Sequence, residues 1–207
     1  MGYCDCMNNV GSYSENFDVI VCGGGTSGVA AAISCARTGV KTLLIEKTGS
    51  LGGQMSVSGP PGFAYARLFN PRGERDVAGI VEETHKRLYD SGHALPHLNY
   101  PVRLKAGYSF SYVDPEWWTY LMFEMMEEEQ VTLLLDTLVV DVTKKENRVT
   151  GVVVENADGR NEIPAKVVID CTGEGYVSIR AGAEYEMVPR DEVQPHSLAF
   201  TVDGVDW

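Results

Sequence analysis

The chain has 207 residues, of which 44% are hydrophobic and 22% charged, a composition typical of a globular protein. Its formal net charge of -12 provides no basic surface for phosphates, which excludes nucleic acid as a partner. The uncharged stretch 19–36 is interrupted by glycines and no Lys or Arg precedes Arg37, so it predicts neither a membrane span nor a secretory signal. We therefore expect no membrane partner and a cytoplasmic location.

Residues 1–16 are polar and show no periodicity, so we predict a flexible tail. Cys4 and Cys6 lie in this tail, but two ligands do not complete a metal site. The scattered cysteines of the whole chain do not form a disulfide framework either. We predict no metal centre.

The next segments predict a βαβ unit. Residues 17–22 form a short apolar strand, and 27–38 form an Ala-rich helix that Gly39 can stop. A second, almost continuously apolar strand covers 40–46. Two strands with a helix between them at this spacing indicate a parallel sheet with a right-handed crossover.

The pattern weakens over 62–113, which we predict to be irregular and to serve as a cap or substrate-side insertion. Within it, apolar residues at helical spacing over 77–88 indicate a helix that Gly92 can end. Asp114 is a good N-cap for a further helix. The residues of that helix expected to face the core are Trp118, Leu121, Met122 and Met125.

The last third of the chain predicts mainly strands. An apolar strand at 131–135 precedes three short β-like runs at 138–143, 149–155 and 160–164, which polar turns join into a β-meander. A final buried strand covers 167–170.

The fold class is therefore α/β: a Rossmann-like three-layer domain with a parallel sheet and a β-meander. We place it at 17–183. The weakly alternating run 197–202 indicates that 184–207 starts a second, substrate domain.

The strongest motif is a G-x-G-x-x-G run that follows the first strand and opens the first helix. Gly23 allows the tight turn, Gly25 lets the backbone approach a pyrophosphate, and Gly28 lets the helix pack against the sheet. The N–H groups at the helix start, around Thr26 and Ser27, then face the anion. The alternative is a glycine-rich turn that binds nothing.

Glu46 ends the second strand, 18 positions after Gly28. An acidic residue about there accepts hydrogen bonds from ribose hydroxyls and disfavours the 2′-phosphate of NADP. The alternative is a solvated glutamate at a strand end. Together the two features indicate a dinucleotide, but they leave FAD and NAD open.

Several runs resemble a known family. Asp18-Val-Ile-Val-Cys-Gly-Gly-Gly-Thr-Ser-Gly, Leu43-Leu-Ile-Glu-Lys, Leu51-Gly-Gly and Val168-Ile-Asp-Cys-Thr-Gly-Glu-Gly are similar to FAD-dependent oxidoreductases of the glutathione-reductase and fumarate-reductase-like class. The resemblance is greatest to members that share a Thr-Gly-Asp-Gly segment. Glu174 stands where those members usually have Asp.

The resemblance implies FAD as the cofactor. It implies that Gly52 and Gly53 pass close to the phosphates or flavin, that Val139 offers its backbone to the adenine, and that Thr172 and Gly173 close over the same half of the cofactor. The predicted cofactor-binding residues are Gly23, Gly25, Thr26, Ser27, Gly28, Glu46, Lys47, Gly52, Gly53, Gln54, Val139, Thr172 and Gly173.

The expected function is flavin-mediated hydride or electron transfer on a small-molecule substrate that the sequence does not identify. No catalytic residue can be assigned, because the candidate His and Arg residues lie in the segment 62–113. The alternatives are an NAD-binding dehydrogenase domain and a non-catalytic dinucleotide-binding fragment of a larger flavoprotein. Family members usually add a later strand and a Gly-Asp segment. Neither is found after Ala183, so we expect a missing C-terminal segment or partner chain.

Overall fold

The computed structural model of the protein describes residues 15–57, 64–66, 68–70, 74–96, 98–100, 108–193 and 204. The chain divides into two compact units: Met1–Leu51 with Phe123–His196, and Gly52–Met122 with Ser197–Trp207. Most of the predicted tail and the run 197–202 lie outside the described residues, and the predicted domain limits stay predictions. Within the described part of the chain, no helix combines the length and apolarity needed to cross a membrane.

The elements are numbered in chain order. They are β1 (Phe17–Cys22), α1 (Thr26–Arg37), β2 (Thr42–Ile45), α2 (Gln54–Val57), β3 (Ala64–Ala66), α3 (Ile80–Asp90), β4 (Leu98–Tyr100), β5 (Tyr108–Tyr112), α4 (Pro115–Glu128), β6 (Thr132–Leu134), β7 (Leu138–Lys145), β8 (Arg148–Asn156), β9 (Gly159–Asp170) and α5 (Tyr176–Ala181).

The first unit contains a six-stranded sheet in the order β6-β2-β1-β9-β8-β7. The strands β6, β2, β1 and the second half of β9 run parallel, and Cys22 lies opposite both Ile45 and Asp170. Parallel strands covered on both faces carry nearly continuous apolar runs, as these do. The buried core includes Phe17, Ile20, Cys22, Leu43, Ile45, Val152, Val154 and Ile163. The α/β, Rossmann-like class predicted from the sequence is confirmed.

The β-meander is part of the same sheet. β7 pairs antiparallel with β8, and β8 with β9. The two strands predicted at 160–164 and 167–170 are one continuous strand, which corrects the sequence analysis. The reason is a change of partner at Pro164: residues up to Pro164 pair with β8, whereas residues from Ala165 onward pair with β1. The sequence showed two runs because each half of β9 packs in a different environment.

The helix boundaries follow the predicted signals. Asp114 caps α4, because its Oδ1 accepts the N–H of Glu116 at 2.9 Å and of Trp117 at 3.3 Å. Gly39 and Gly92 follow α1 and α3 with φ of 82° and 84°, the left-handed conformation that ends helices. The predicted core face of α4 is confirmed, since all four of its residues are buried: Trp118, Leu121, Met122 and Met125.

The second unit contains a three-stranded antiparallel sheet in the order β3-β5-β4, together with α2 and α3. The sequence predicted α3 but none of these strands. β3 and β4 have three residues each, too few for an alternating pattern to emerge. His85 of α3 joins the helix to this sheet, because its Nε2 lies 2.7 Å from Oγ of the fully buried Ser111 on β5.

Candidate functional site

The glycine-rich loop lies at the carboxyl end of β1 and depends on glycine at two positions. Gly23 has a φ of 103°, and a Cβ there would lie 2.4 Å from the carbonyl oxygen of Cys171. A Cβ on Gly28 would lie 1.8 Å from the carbonyl oxygen of Gly23. These two glycines are therefore required for the loop to close against α1 and the end of β9, with or without a ligand.

Gly25 has a different position. It is the N-cap of α1, with a φ of -71° that any residue adopts, so its backbone conformation does not require glycine. Within the described chain, no side chain caps this helix, and its first turn contains no acidic residue. Thr26 and Ser27 of that turn are exposed. The N-terminal end of a 12-residue helix is thus presented with uncapped N–H groups, which favours an anion.

Glu46 lies directly after β2 and is 9% exposed, so it is not a solvated strand end. Its Oε2 accepts the N–H of Gly24 at 2.7 Å, and its Oε1 accepts both the N–H and the hydroxyl of Thr48 at 2.9 Å. An ionised carboxylate has about four acceptor positions, so these bonds leave room for a further donor. The side chain therefore fixes the glycine loop against the end of β2 and keeps acceptor capacity for a hydroxyl group.

The turn after β9 completes this edge of the sheet. Asp170 ends β9, and its Oδ1 accepts the N–H and hydroxyl of Thr172 at 3.1 and 2.8 Å. Its Oδ2 accepts the N–H and hydroxyl of Ser178, both at 2.8 Å. Burial raises the pKa of Asp170, but these hydrogen bonds outweigh it and hold the pKa below its usual value. Asp170 was not among the predicted site residues, although its spacing to Thr172 is typical of an Asx-type turn.

The structure brings most of the predicted site residues of the first unit together. The loops after β1, β2 and β9 leave neighbouring parallel strands at their carboxyl ends, which is where ligands bind in open α/β sheets. These loops, together with the first turn of α1, contain Gly23, Gly25, Thr26, Ser27, Gly28, Glu46, Lys47, Thr172 and Gly173. Val139 on β7 lies two residues after Thr137, whose N–H donates to the carbonyl oxygen of Glu46 at 3.0 Å.

The remaining predicted residues, Gly52, Gly53 and Gln54, belong to the second unit. Gly52 has a φ of 100°, and a Cβ there would lie 2.3 Å from both Ser56 Oγ and Trp118 Nε1. The indole N–H of Trp118 donates to the Gly52 carbonyl at 3.4 Å. Glycine at position 52 is therefore required by the packing of this loop on Trp118.

Two of the histidines, His85 and His93, lie within the described residues. His85 is partly buried, which lowers its pKa. The Ser111 hydroxyl beside it also donates to the Leu95 carbonyl. The ring of His93 stacks on Trp117 at 3.8 Å. Both arrangements are ones that a structural histidine makes.

The family described as "FAD dependent oxidoreductase" matches residues 18–207, and the chain belongs to it. FixC of Salmonella typhi is 30% identical over 168 residues, which cover 76% of this chain and 36% of FixC. FixC of Salmonella typhimurium matches to the same extent. The chain thus spans about a third of the length of the curated relatives it matches.

Solved structures share the fold. A geranylgeranyl bacteriochlorophyll reductase-like protein from Thermoplasma acidophilum superposes with a TM-score of 0.60 at 22% identity, covering 86% of this chain and 44% of that one. L-proline dehydrogenase from P. horikoshii has a TM-score of 0.60 at 17% identity, and the match covers 84% of this chain and 57% of that one. Glycerol-3-phosphate dehydrogenase from Bacillus halodurans, solved with FAD, has a TM-score of 0.53 at 17% identity, and the match covers 80% of this chain and 35% of that one.

The cofactor of the family is FAD, and the first unit fits its ADP half. The uncapped start of α1 suits the pyrophosphate, because N–H groups and the helix dipole both favour a negative charge. The carboxylate of Glu46, on the neighbouring strand end, suits the ribose hydroxyls. An acidic residue at this place is unfavourable for a 2′-phosphate, which disfavours NADP.

Proposed function

We propose that the first unit binds the ADP half of FAD and that the protein is a flavin-dependent oxidoreductase acting on a small molecule. The observation that supports this most strongly is the arrangement at the carboxyl ends of β1 and β2. There the uncapped helix start after Gly25 and the buried carboxylate of Glu46 are joined through the hydrogen bond from Gly24 N–H. An anion site and a hydroxyl acceptor side by side match a dinucleotide.

Each predicted residue then has a defined task. The backbone at Gly25, Thr26 and Ser27 binds the pyrophosphate, and Glu46 accepts the ribose hydroxyls. The Val139 backbone meets the adenine, while Thr172 and Gly173 close over the same half. The resemblance assigns Gly52 and Gly53 to the phosphates or the flavin, and Lys47 and Gln54 are proposed as further cofactor contacts. When bound, the flavin supplies the hydride or electron transfer, and the protein supplies binding, orientation and exclusion of water.

The substrate side is assigned to the segment 62–113 and to 184–207. Most of the second unit's described elements, including α3 and its sheet, fall in the first of these segments. Enzymes of this kind draw substrate contacts from parts of the chain outside the dinucleotide-binding sheet.

The decisive test is equilibrium titration of the purified chain with FAD and with ADP, followed by calorimetry and, for FAD, by flavin absorbance. Saturable binding of both ligands supports the proposal. Titration with NADP is the matched control, and we expect much weaker binding, because the carboxylate of Glu46 would face its 2′-phosphate. A chain that binds neither FAD nor ADP contradicts the proposal.

A second candidate is a non-catalytic dinucleotide-binding fragment. An observation that fits it is the pairing of β9: within the described residues, no strand pairs with the side of 167–170 that faces away from β1. Reduction of an artificial electron acceptor separates the two candidates. Turnover by the flavin-loaded chain supports the enzyme, and its absence with bound FAD supports the fragment.

A further inference from the structure

We propose that Asp170 is a positioning residue, which holds the turn Thr172–Gly175 in the shape that contacts the cofactor. The inference rests on the proposed function, because it assigns to this turn a contact with the ADP half. Asp170 itself does not touch the cofactor in this proposal. It acts through Thr172 and through the start of α5.

The carboxylate connects two points of the chain that enclose the turn. Oδ1 accepts the N–H and hydroxyl of Thr172, at the start of the turn, and Oδ2 accepts the N–H and hydroxyl of Ser178, in α5. The four bonds, all between 2.8 and 3.1 Å, use about all the acceptor positions that a carboxylate has. The whole side chain is thus committed to fixing the distance between these two points.

The turn needs such fixing because its own backbone does not determine its shape. Gly173 and Gly175 have φ values of 86° and 71°, and glycine visits many conformations at similar cost. The hydroxyl of Thr172 also accepts the N–H of Tyr176 at 3.1 Å, so the tether from Asp170 continues across the turn. Without Asp170, the hydroxyl of Thr172 has no fixed orientation.

The backbone of the turn Thr172–Gly175 is also open on one side. A Cβ on Gly173 or Gly175 would meet no atom within 4 Å, so these glycines are not required by packing. The N–H of Cys171 donates to the Cys22 carbonyl at 2.8 Å, and a Cβ on Gly23 would touch the Cys171 carbonyl. The turn therefore begins directly against the glycine loop, with open space on its outer side.

The chemistry requires a carboxylate at this position. Both oxygens accept from two donors each, and no ion pair with Asp170 occurs among the described residues. An asparagine keeps the shape but replaces one oxygen by an NH₂ group, which would face two donors. Asp170→Asn therefore releases one end of the tether and changes little else.

The test uses the 207-residue chain with ADP and FAD as probes, titrated by calorimetry. We expect Asp170→Asn to weaken ADP binding by about tenfold, because the variant loses the hydrogen bonds that one charged carboxylate oxygen accepts. Ser178→Ala, which removes only one of the four bonds, should weaken it about twofold to threefold. It keeps the test usable if Asp170→Asn does not fold.

The matched control is Asp18→Asn. Asp18 lies on β1 of the same sheet, accepts the N–H of Lys41 at 2.9 Å and pairs with Lys166, but it is at the other end of the strand. The Asp18→Asn variant should have a lower melting temperature than the parent and the same affinity for ADP. A double variant adds a readout that a purely structural role would not give. Asp170→Ala releases both ends of the tether, so Thr172→Ala combined with Asp170→Ala should bind ADP no more weakly than Asp170→Ala alone.

The outcomes are distinct. Parental ADP affinity in a folded Asp170→Asn protein, or equal weakening by Asp18→Asn, overturns the positioning role while leaving the proposed function intact. Additive losses in the double variant also overturn it, because Asp170 would then not act through Thr172. A parent chain that binds neither ADP nor FAD overturns the proposed function and this inference with it.

Discussion

Gly25 and Gly28 belong to the same loop, but their substitution should have different consequences. Gly25 has an ordinary φ of -71°, so Gly25→Val keeps the backbone and places a branched side chain where the pyrophosphate is expected. We expect a folded protein, destabilised by about 1 kcal/mol through the poorer N-cap, that no longer binds ADP. Circular dichroism and calorimetric titration measure the two effects.

Gly28→Ala is the control for this prediction. Its Cβ would lie 1.8 Å from the Gly23 carbonyl, so it should unfold or strongly destabilise the first unit. If Gly25→Val binds ADP with the affinity of the parent, the pyrophosphate does not contact this residue.

Glu46 should contribute to both affinity and stability. Glu46→Ala removes the acceptor for ribose hydroxyls, which costs roughly 1.5–3 kcal/mol, or about tenfold to a hundredfold in affinity. It also leaves the buried N–H of Gly24 without this partner, which costs about 1–3 kcal/mol of stability. Thr48→Ala, which removes one hydroxyl bond to the same carboxylate, should leave ADP affinity nearly unchanged. Unchanged affinity in Glu46→Ala would refute the ribose contact.

Cys22 should be chemically inert in the folded protein. Burial in the core raises the pKa of its thiol from 9.0 to about 12, with smaller contributions from Asp170 and Cys171. The thiolate is the reactive form, so iodoacetamide at pH 8 should label Cys22 only after unfolding. The raised pKa also predicts a loss of stability between about pH 9 and 12, where the unfolded chain ionises this thiol and the fold does not. Peptide mass spectrometry checks the labelling, and early modification of Cys22 in native protein would contradict it.

At the scale of the elements, helices and strands with long sequence patterns were predicted well, and strands of three residues were not. The βαβ unit, the caps of α4 and the meander turns follow local rules of periodicity and capping that the sequence carries by itself. β9 was divided into two strands because its halves pair with different neighbours, and pairing is a property of the sheet. The strands β3 and β4 were missed because three residues carry no usable period.

In the candidate site, too, some residues follow from local sequence rules and others depend on the folded structure. The glycine loop and Glu46 could be predicted because their spacing is fixed by the strand–helix–strand unit. The spacing of Asp170 to Thr172 indicates a turn, but its bonds to Ser178 could not be predicted, since the chain brings Ser178 close only by closing that turn. Its role as a tether is visible only once both ends are in place.

The cap of α4 supports a prediction about this element. Asp114→Ala removes the bonds to the N–H groups of Glu116 and Trp117, which should destabilise the protein by about 1 kcal/mol. The helix carries the buried Met122 and Met125, so the loss should appear in thermal unfolding. Glu127→Ala, an exposed position of the same helix, is the control and should have a negligible effect. Equal melting temperatures for Asp114→Ala and the parent would contradict the cap.

At the scale of the whole molecule, the open edge of β9 bears on how tightly the chain holds flavin. Cys22, at the end of β1, has strand neighbours on both sides, whereas within the described chain 167–170 have one only on the side of β1. Such an edge presents unpaired backbone groups and accepts a further strand. We propose that a further strand pairs here.

This proposal predicts weak flavin binding by the 207-residue chain. In this proposal the described loops after β1, β2 and β9 form the ADP half of the site, whereas the flavin half depends on the further strand. FAD should therefore bind hardly better than ADP, with low occupancy and little turnover. A longer protein that includes the further strand should bind FAD far more tightly than ADP, because only then is the flavin enclosed. The measurement is the ratio of the two dissociation constants in both proteins, with Glu46→Ala as the variant that weakens both ligands equally. A flavin that survives gel filtration on the 207-residue chain, and is reduced and reoxidised at enzyme-like rates, would show that the edge of β9 needs no partner.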